Sequence, residues 1–332
     1  SSIPGIRRLA SNNYNLTVWN RTLSKAQKSI DHVKTDKVSA KTFNINEIEK
    51  KVEQGDIIVS QLTASMHLDI AKICLEKKCH FVTTSYLAPD IKKLNEQAVA
   101  QNLTFINEVG LDPGIDHFFS HLLVQELKSL NLNNLSVSYK SYCGGIPAIP
   151  NDFKYKFSWS PVGVIKALNS PAKFTQNFEE KLVPQPYKEV KNHLINSESF
   201  EAYPNRDSLP YIEEYLFSPE WKIKEFVRGT LRLNGWTLAW REIFNMLEKQ
   251  EANIEEQIQQ KSNELWKNYR YDKNEEDRVV LWVNLEAEQQ DKKVFSSTYQ
   301  LDEKGSGENT AMAKLVSITL SAAVDLMLQN KF

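Results

Sequence analysis

Along the first hundred positions, apolar residues come in short runs separated by amphipathic stretches. Tyr14 to Trp19, Val38 to Phe43, Asp56 to Leu62, His80 to Thr84 and Leu103 to Ile106 are brief segments rich in apolar and β-branched residues, which predicts strands. Between them, Ile45 to Val52, His67 to Leu75 and Pro89 to Ala100 carry helical spacing. This alternation predicts an α/β fold with a Rossmann-type, doubly wound parallel sheet. Such a fold needs a first strand and a glycine-rich turn ahead of Ile3 to Ala10, and the chain starts at Ser1. An N-terminal piece is therefore expected to be missing.

After Cys143 the pattern changes. Gly144-Gly145, Pro147, Pro150 and Pro161 predict a loop-rich region. Strand-like stretches follow at Ala172 to Phe178, Glu225 to Leu233, Val279 to Leu285 and Val294 to Gln300. Glu242 to Tyr271 is charged and glutamine-rich, with Ile254, Ile258 and Leu265 at helical spacing, which predicts solvated helices. The expected organisation is a nucleotide domain over 1–115 and an inserted α+β substrate and dimerisation domain over 116–303. The latter carries a short helical insert near 236–275, and a C-terminal helix within 304–332 returns to the first domain.

Charge and cysteine content narrow the partners. The 332 residues include 41 basic and 42 acidic side chains, a formal charge of -1, which gives no reason to propose nucleic acid or an anionic membrane. No uninterrupted apolar run reaches the length of a membrane span; Ala311 to Leu328 is broken by Lys314 and Asp325 and reads as a packed terminal helix. Cys74, Cys79 and Cys143 do not form a disulfide framework in a chain this size, so a cytoplasmic location is expected.

The candidate chemistry lies first in Asn107-Glu108-Val109-Gly110-Leu111-Asp112-Pro113-Gly114-Ile115-Asp116-His117. Asp112-Pro113-Gly114 predicts a turn after a buried strand, and Asp116 is placed to cap a helix beginning near Phe118, Phe119 and Leu122. Open α/β sheets bind ligands at such strand ends. At the end of the second strand, where NAD-binding folds place an acidic side chain, the sequence has Asn20-Arg21-Thr22. A guanidinium pairs with a 2′-phosphate, so NADP is the expected cofactor. His117 and His121 have zinc-ligand spacing, but no third His or Cys lies nearby in sequence, and no metal site is expected.

A second stretch, Ser141-Tyr142-Cys143-Gly144-Gly145-Ile146-Pro147, belongs with the first. Together with Tyr155 to Pro161, Tyr203-Pro204-Asn205-Arg206-Asp207-Ser208 and Arg228-Gly229-Thr230-Leu231-Arg232, these motifs resemble the glutamate-forming saccharopine dehydrogenase (saccharopine reductase) family. The resemblance is weaker before residue 80 and thin from about 236 to 290, where the helical region looks shorter than in larger family members.

The resemblance implies an NADP-dependent oxidoreductase of lysine metabolism, acting on the secondary amine that joins glutamate to 2-aminoadipate 6-semialdehyde. It puts Ser1, Asn20, Arg21, Thr22, Asn44, Ile45, Leu62, Thr84, Ser85, Leu111, Asp112, Pro113 and Ser160 at the cofactor. Ser85, Tyr86, Asp112, Arg206, Thr230, Leu231 and Arg232 fall to the small-molecule substrate, whose three carboxylates suit the fork of arginine. Asp112, Cys143 and Tyr86 are the titratable groups it places around the imine carbon, and which of them is the base stays open. Cys143 is a proton donor or a small packing group. A homodimer also stays open. Two rival readings are a carboxynorspermidine dehydrogenase-like reductive condensation, which needs fewer carboxylate-binding groups, and a non-catalytic nucleotide-binding regulator.

Overall fold

The computed structural model describes residues 2–249 and 252–331. They divide into two compact units, residues 1–115 with 312–332, and residues 116–311. Residues 304–311 thus stay with the second unit.

The first unit opens with helix α1 (Ile3–Ser11), in which Pro4 occupies the first turn, where its missing N–H costs nothing. There follow β1 (Leu16–Asn20), α2 (Leu23–Ile30), β2 (Val38–Thr42), α3 (Ile45–Lys51), β3 (Ile57–Ser60), α4 (Ala64–Lys77), β4 (His80–Thr83), α5 (Pro89–Lys92), α6 (Asn95–Ala100) and β5 (Phe105–Ile106). The helix expected over Pro89 to Ala100 is split in two. All strand pairings are parallel, β1 with β2 and, as a separate sheet, β3–β4–β5.

Alternation along the three-stranded sheet explains its coverage. Ile57, Val59, Val82 and Ile106 face one core with Leu9 and Val109, whereas Ile58, Phe81 and Phe105 face another with Ile70, Ala71, Cys74 and Cys79. The two thiols are packing groups, and burial drives the Cys74 pKa well above the ordinary thiol range.

The second unit holds an eight-stranded mixed sheet. Its elements are α7 (Ile115–Ser129), β6 (Ser136–Pro147), α8 (Pro161–Leu168), β7 (Ala172–Gln176), β8 (Glu179–Val183), β9 (Lys191–Ile195), β10 (Glu198–Pro204), α9 (Pro210–Glu214), β11 (Lys222–Leu233), α10 (Trp236–Ala239), α11 (Arg241–Lys249), α12 (Ile254–Tyr269), β12 (Asp277–Gln289) and β13 (Lys292–Gly305). Strand order is β13-β12-β6-β11-β10-β9, with β7 and β8 branching from β11. The β6–β11 pair is parallel and its neighbours are antiparallel.

Three expectations need correction here. The glycine pair read as loop punctuation lies inside β6, a central strand. A Cβ on Gly144 would come within 2.6 Å of the Leu231 carbonyl oxygen, so glycine marks close backbone approach within a sheet. The stretch from Glu242 to Tyr271 is not simply solvated: Ile243, Phe244, Leu247, Ile258 and Leu265 enter one aromatic-rich core with Trp236, Trp240, Phe153, Tyr155 and Phe157. Asp116 sits inside the first turn of α7 rather than ahead of it, fully buried, and accepts from Arg228 Nη2 at 2.6 Å.

The last helix, α13 (Ala311–Leu328), is long and apolar enough to cross a membrane by length and composition, contrary to the sequence reading. Half of it is buried, and Leu320, Ala323 and Val324 share the core of Leu9 and Val82. Its polar residues are used in the same way: Gly5 N donates to Ser317 Oγ, and Arg8 pairs with Asp325. These features describe a core helix of the first unit.

Candidate active site

At the carboxyl end of β1, Asn20 Oδ1 accepts from the Thr22 backbone N–H at 3.0 Å. That turn leaves Arg21 exposed at the strand end. On the neighbouring strand, the ammonium of Lys51 holds Lys41 below the usual lysine range. A cationic strand end fits a phosphorylated ribose, and Lys41 was not singled out from sequence. Asn44 caps α3, its Oδ1 accepting from Asn46 and Glu47. Ile45 and Leu62 pack partly buried against the core of Ile70 and Phe81. Ser1 lies outside the described residues.

The turn after β5 is built around glycine. Gly110 N donates to the Pro113 carbonyl at 2.9 Å, and Ile115 N to the Gly110 carbonyl at 3.1 Å. Gly114 has φ +145°, and any Cβ there would overlap the Gly110 backbone. Leu111 and Pro113 are buried, while Asp112 stays partly open and accepts from the Tyr86 hydroxyl at 3.0 Å.

Thr84, Ser85 and Tyr86, just past β4, are stitched to this turn by Glu108. Its N–H donates to the Ser85 carbonyl at 3.0 Å and its Oε1 accepts from Leu87 N at 2.8 Å. Glu108 holds φ +60°, a region a non-glycine residue occupies at some cost. Sequence reading also passed over the buried His67, whose Nδ1 and Nε2 each lie 2.8 Å from a serine hydroxyl, those of Ser60 and Ser85.

In the second unit, Cys143 is nearly buried on β6, paired with Thr230 of β11 and Leu281 of β12. Leu231, next along β11, is fully buried. Arg232 Nη2 donates to the Tyr203 hydroxyl at 2.9 Å and Nη1 to the Leu231 carbonyl at 3.2 Å. Its guanidinium lies 5.0 Å from the Tyr155 ring centre, 5.5 Å from that of Trp236 and 5.6 Å from that of Tyr203. The box holds a cation by ring quadrupoles as well as hydrogen bonds.

Arg206 follows β10 with φ +59° and an exposed side chain. Its backbone is pinned, because the Arg206 carbonyl accepts from Lys173 N at 2.9 Å and Ser208 N donates to the Lys173 carbonyl at 2.8 Å. Asp207 Oδ1 accepts from Leu209 N in a turn of its own. Ser160 is exposed, directly ahead of Pro161 at the start of α8.

Cys143, Thr230, Leu231 and Arg232 thus share adjoining strands, and Tyr86 and Asp112 are in contact within the first unit. Arg21 and Thr22 directly follow β1, a strand of the other parallel sheet of that unit. His117 Nδ1 lies 2.8 Å from the Tyr215 hydroxyl, and its ring stacks on Tyr211. His121 meets the edge of Tyr215.

A parallel nucleotide-type unit with an acid and a phenol at its strand ends, in one chain with a mixed-sheet unit, has the architecture of the two-domain dinucleotide-dependent oxidoreductases. Within that class, the chain belongs to the saccharopine dehydrogenase family. Residues 5–106 match the model of the saccharopine dehydrogenase NADP binding domain and residues 110–332 that of the saccharopine dehydrogenase C-terminal domain.

Three of the curated relatives, the following two among them, are named saccharopine dehydrogenase [NADP(+), L-glutamate-forming]. The Schizosaccharomyces pombe protein is 36% identical over 231 residues, 67% of this chain and 50% of that protein. The Saccharomyces cerevisiae protein is 32% identical over 263 residues, 75% of this chain and 57% of that one. The matches thus span about half the length of these relatives. The solved structure of apo saccharopine dehydrogenase (L-Glu forming) from S. cerevisiae superposes with a TM-score of 0.82 at 24% identity, covering 99% of this chain and 89% of that one, which shows the shared fold.

Proposed function

We propose that this chain is an NADP-dependent saccharopine dehydrogenase of the L-glutamate-forming type. The observation that carries the reading is the Tyr86–Asp112 hydrogen bond in the glycine turn, in a chain whose two parts both match the family's domains. When bound, the nicotinamide supplies or takes up hydride at the carbon of the secondary amine. Asn20, Arg21, Thr22 and Asn44 hold the adenosine side of the cofactor, with Ile45 and Leu62 beneath it. Thr84, Leu111 and Pro113 would border the nicotinamide, and Ser160 is a further candidate contact.

The protein's own work is binding and proton handling. Arg206 and Arg232 take substrate carboxylates, with Thr230 and Leu231 beside Arg232, and Ser85 contributes a hydroxyl. Asp112, oriented by Tyr86, accepts or returns the proton of the amine nitrogen as the imine forms or is reduced. Cys143, held on a central strand of the second unit, is the remaining titratable candidate. Two arginines favour a tricarboxylate over the carboxynorspermidine-type alternative. Three buried free thiols are consistent with a reducing compartment, and we place the protein in the cytoplasm.

The test is saccharopine-dependent formation of NADPH from NADP+ by the purified chain, with NAD+ and carboxynorspermidine as controls. Saccharopine oxidation selective for NADP+ is expected. Turnover of carboxynorspermidine alone would transfer the assignment to that reaction, and no turnover of either would reject the enzyme reading.

A further inference from the structure

His67 lies in the first turn of α4 and is 2% exposed, yet both its ring nitrogens are engaged. Nδ1 meets Ser60 Oγ at the end of β3, and Nε2 meets Ser85 Oγ just past β4, each at 2.8 Å. One imidazole therefore ties together the carboxyl ends of two adjacent parallel strands, where ligands of such sheets bind. Burial holds the ring below the usual histidine range, so it is neutral, with one N–H and one lone pair.

Which nitrogen carries the proton decides what Ser85 can do. The Ser60 hydroxyl is itself nearly buried, and Nδ1 is its partner. A buried hydroxyl left without an acceptor pays the larger penalty, so Ser60 donates to Nδ1. Nε2 then carries the hydrogen and donates to Ser85 Oγ. The Thr83 hydroxyl is fully buried and also faces Nε2, but at 3.5 Å it gains less from an acceptor there than Ser60 gains from Nδ1 at 2.8 Å. With its oxygen accepting from His67, Ser85 keeps its own hydrogen to donate outward. Its backbone is fixed too, the carbonyl by Glu108 N and the N–H by Thr83 Oγ1.

We propose that His67 is a positioning residue, which polarises Ser85 as a hydrogen-bond donor to an anionic oxygen of the substrate, a carboxylate. The inference rests on the saccharopine reading for the identity of that carboxylate. The His67–Ser85 relay itself is a property of the ligand-free protein. His67 acts through Ser85, so removing it should matter only while the hydroxyl is there. Glutamine can imitate the arrangement, its amide oxygen accepting from Ser60 and its amide N–H donating to Ser85; leucine cannot.

The experiment has two arms. In the ligand-free protein, long-range 1H–15N correlation of the histidine rings should show His67 protonated at Nε2, with that signal moved by Ser85→Ala. Protonation at Nδ1, or a signal indifferent to Ser85→Ala, overturns the proposal, and this arm stands even if saccharopine is not the substrate.

In the kinetic arm, His67→Leu should raise the KM for saccharopine by roughly tenfold or more with a smaller change in kcat, as expected for loss of a hydrogen bond to a charged group. His67→Gln should stay within a few-fold of wild type by the same reasoning. In a Ser85→Ala background, His67→Leu should add nothing further. Multiplying effects in the double variant, or equal losses for Leu and Gln, would overturn the relay. If His67→Leu does not fold, the Gln variant and the ring signals still decide.

Discussion

The Tyr86 hydroxyl donates to Asp112 Oδ1 across 3.0 Å, joining the segment after β4 to the turn after β5. Twenty-six residues separate the two in sequence. The bond leaves Asp112 oriented by a neutral donor. Replacing Tyr86 by Phe removes that donor and little volume. Steady-state kinetics should then show kcat/KM for saccharopine reduced about tenfold, the scale of one hydrogen bond to a charged group. A value unchanged within experimental error would remove the pair from the site.

Arg21 is exposed at the end of β1, so its loss should not disturb the fold. If Arg21 reads the 2′-phosphate, Arg21→Ala should raise the KM for NADPH by roughly ten- to a hundredfold while leaving that for NADH nearly unchanged, the scale of a charge-assisted pair. Comparable losses with both cofactors would mean that Arg21 does not read the phosphate.

Asp116 and Arg228 form an ion pair with both side chains nearly inaccessible, and Tyr211 lies 4.0 Å from the guanidinium. Asp116→Ala removes the carboxylate that pairs with this buried cation and should cost about 3–5 kcal/mol in urea unfolding. Replacing the pair together, Asp116→Leu with Arg228→Met, should recover most of that loss. A cost for Asp116→Ala below about 1 kcal/mol would show that the pair does not anchor α7.

Local pattern made the first unit legible: strand and helix periods alternate there over short distances, and Ile57 to Ser60 or His80 to Thr83 need no distant partner to be recognised. The second unit was harder, since its information is long-range. Gly144 looks like a turn signal until the Leu231 carbonyl is brought against it. Asp116 looks like a cap until Arg228, over a hundred positions away, reaches its carboxylate. The helical stretch from Glu242 to Tyr269 looks solvated because its polar residues outnumber the apolar ones that form the buried face. At the candidate site, motif residues were nameable from sequence. His67 was not, since one histidine at a helix start gives no hint of serines 7 and 18 residues away.

Acid should destabilise the protein through its histidines. Burial holds His67, His121 and His193 below their ordinary values, with His117 adding to the effect at His121 and Lys140 at His193. Unfolded histidine titrates near about 6.5. Below that, the unfolded chain binds more protons than the folded one. The stability these groups contribute is therefore full above about pH 6.5 and is lost as pH falls toward their folded values. Melting temperatures measured from about pH 7 down to 5 should fall, and His193→Gln should flatten the slope. A slope identical to wild type would exclude His193 as a contributor.

The proposed activity is hydride transfer at the carbon–nitrogen bond of saccharopine. Purified protein would be given glutamate, 2-aminoadipate 6-semialdehyde and NADPH carrying deuterium at both C4 positions of the nicotinamide, and the product examined by mass spectrometry. Saccharopine carrying one deuterium on the former aldehyde carbon, next to the bridging nitrogen, is expected. Unlabelled saccharopine, or none at all with NADPH left unconsumed, would contradict it.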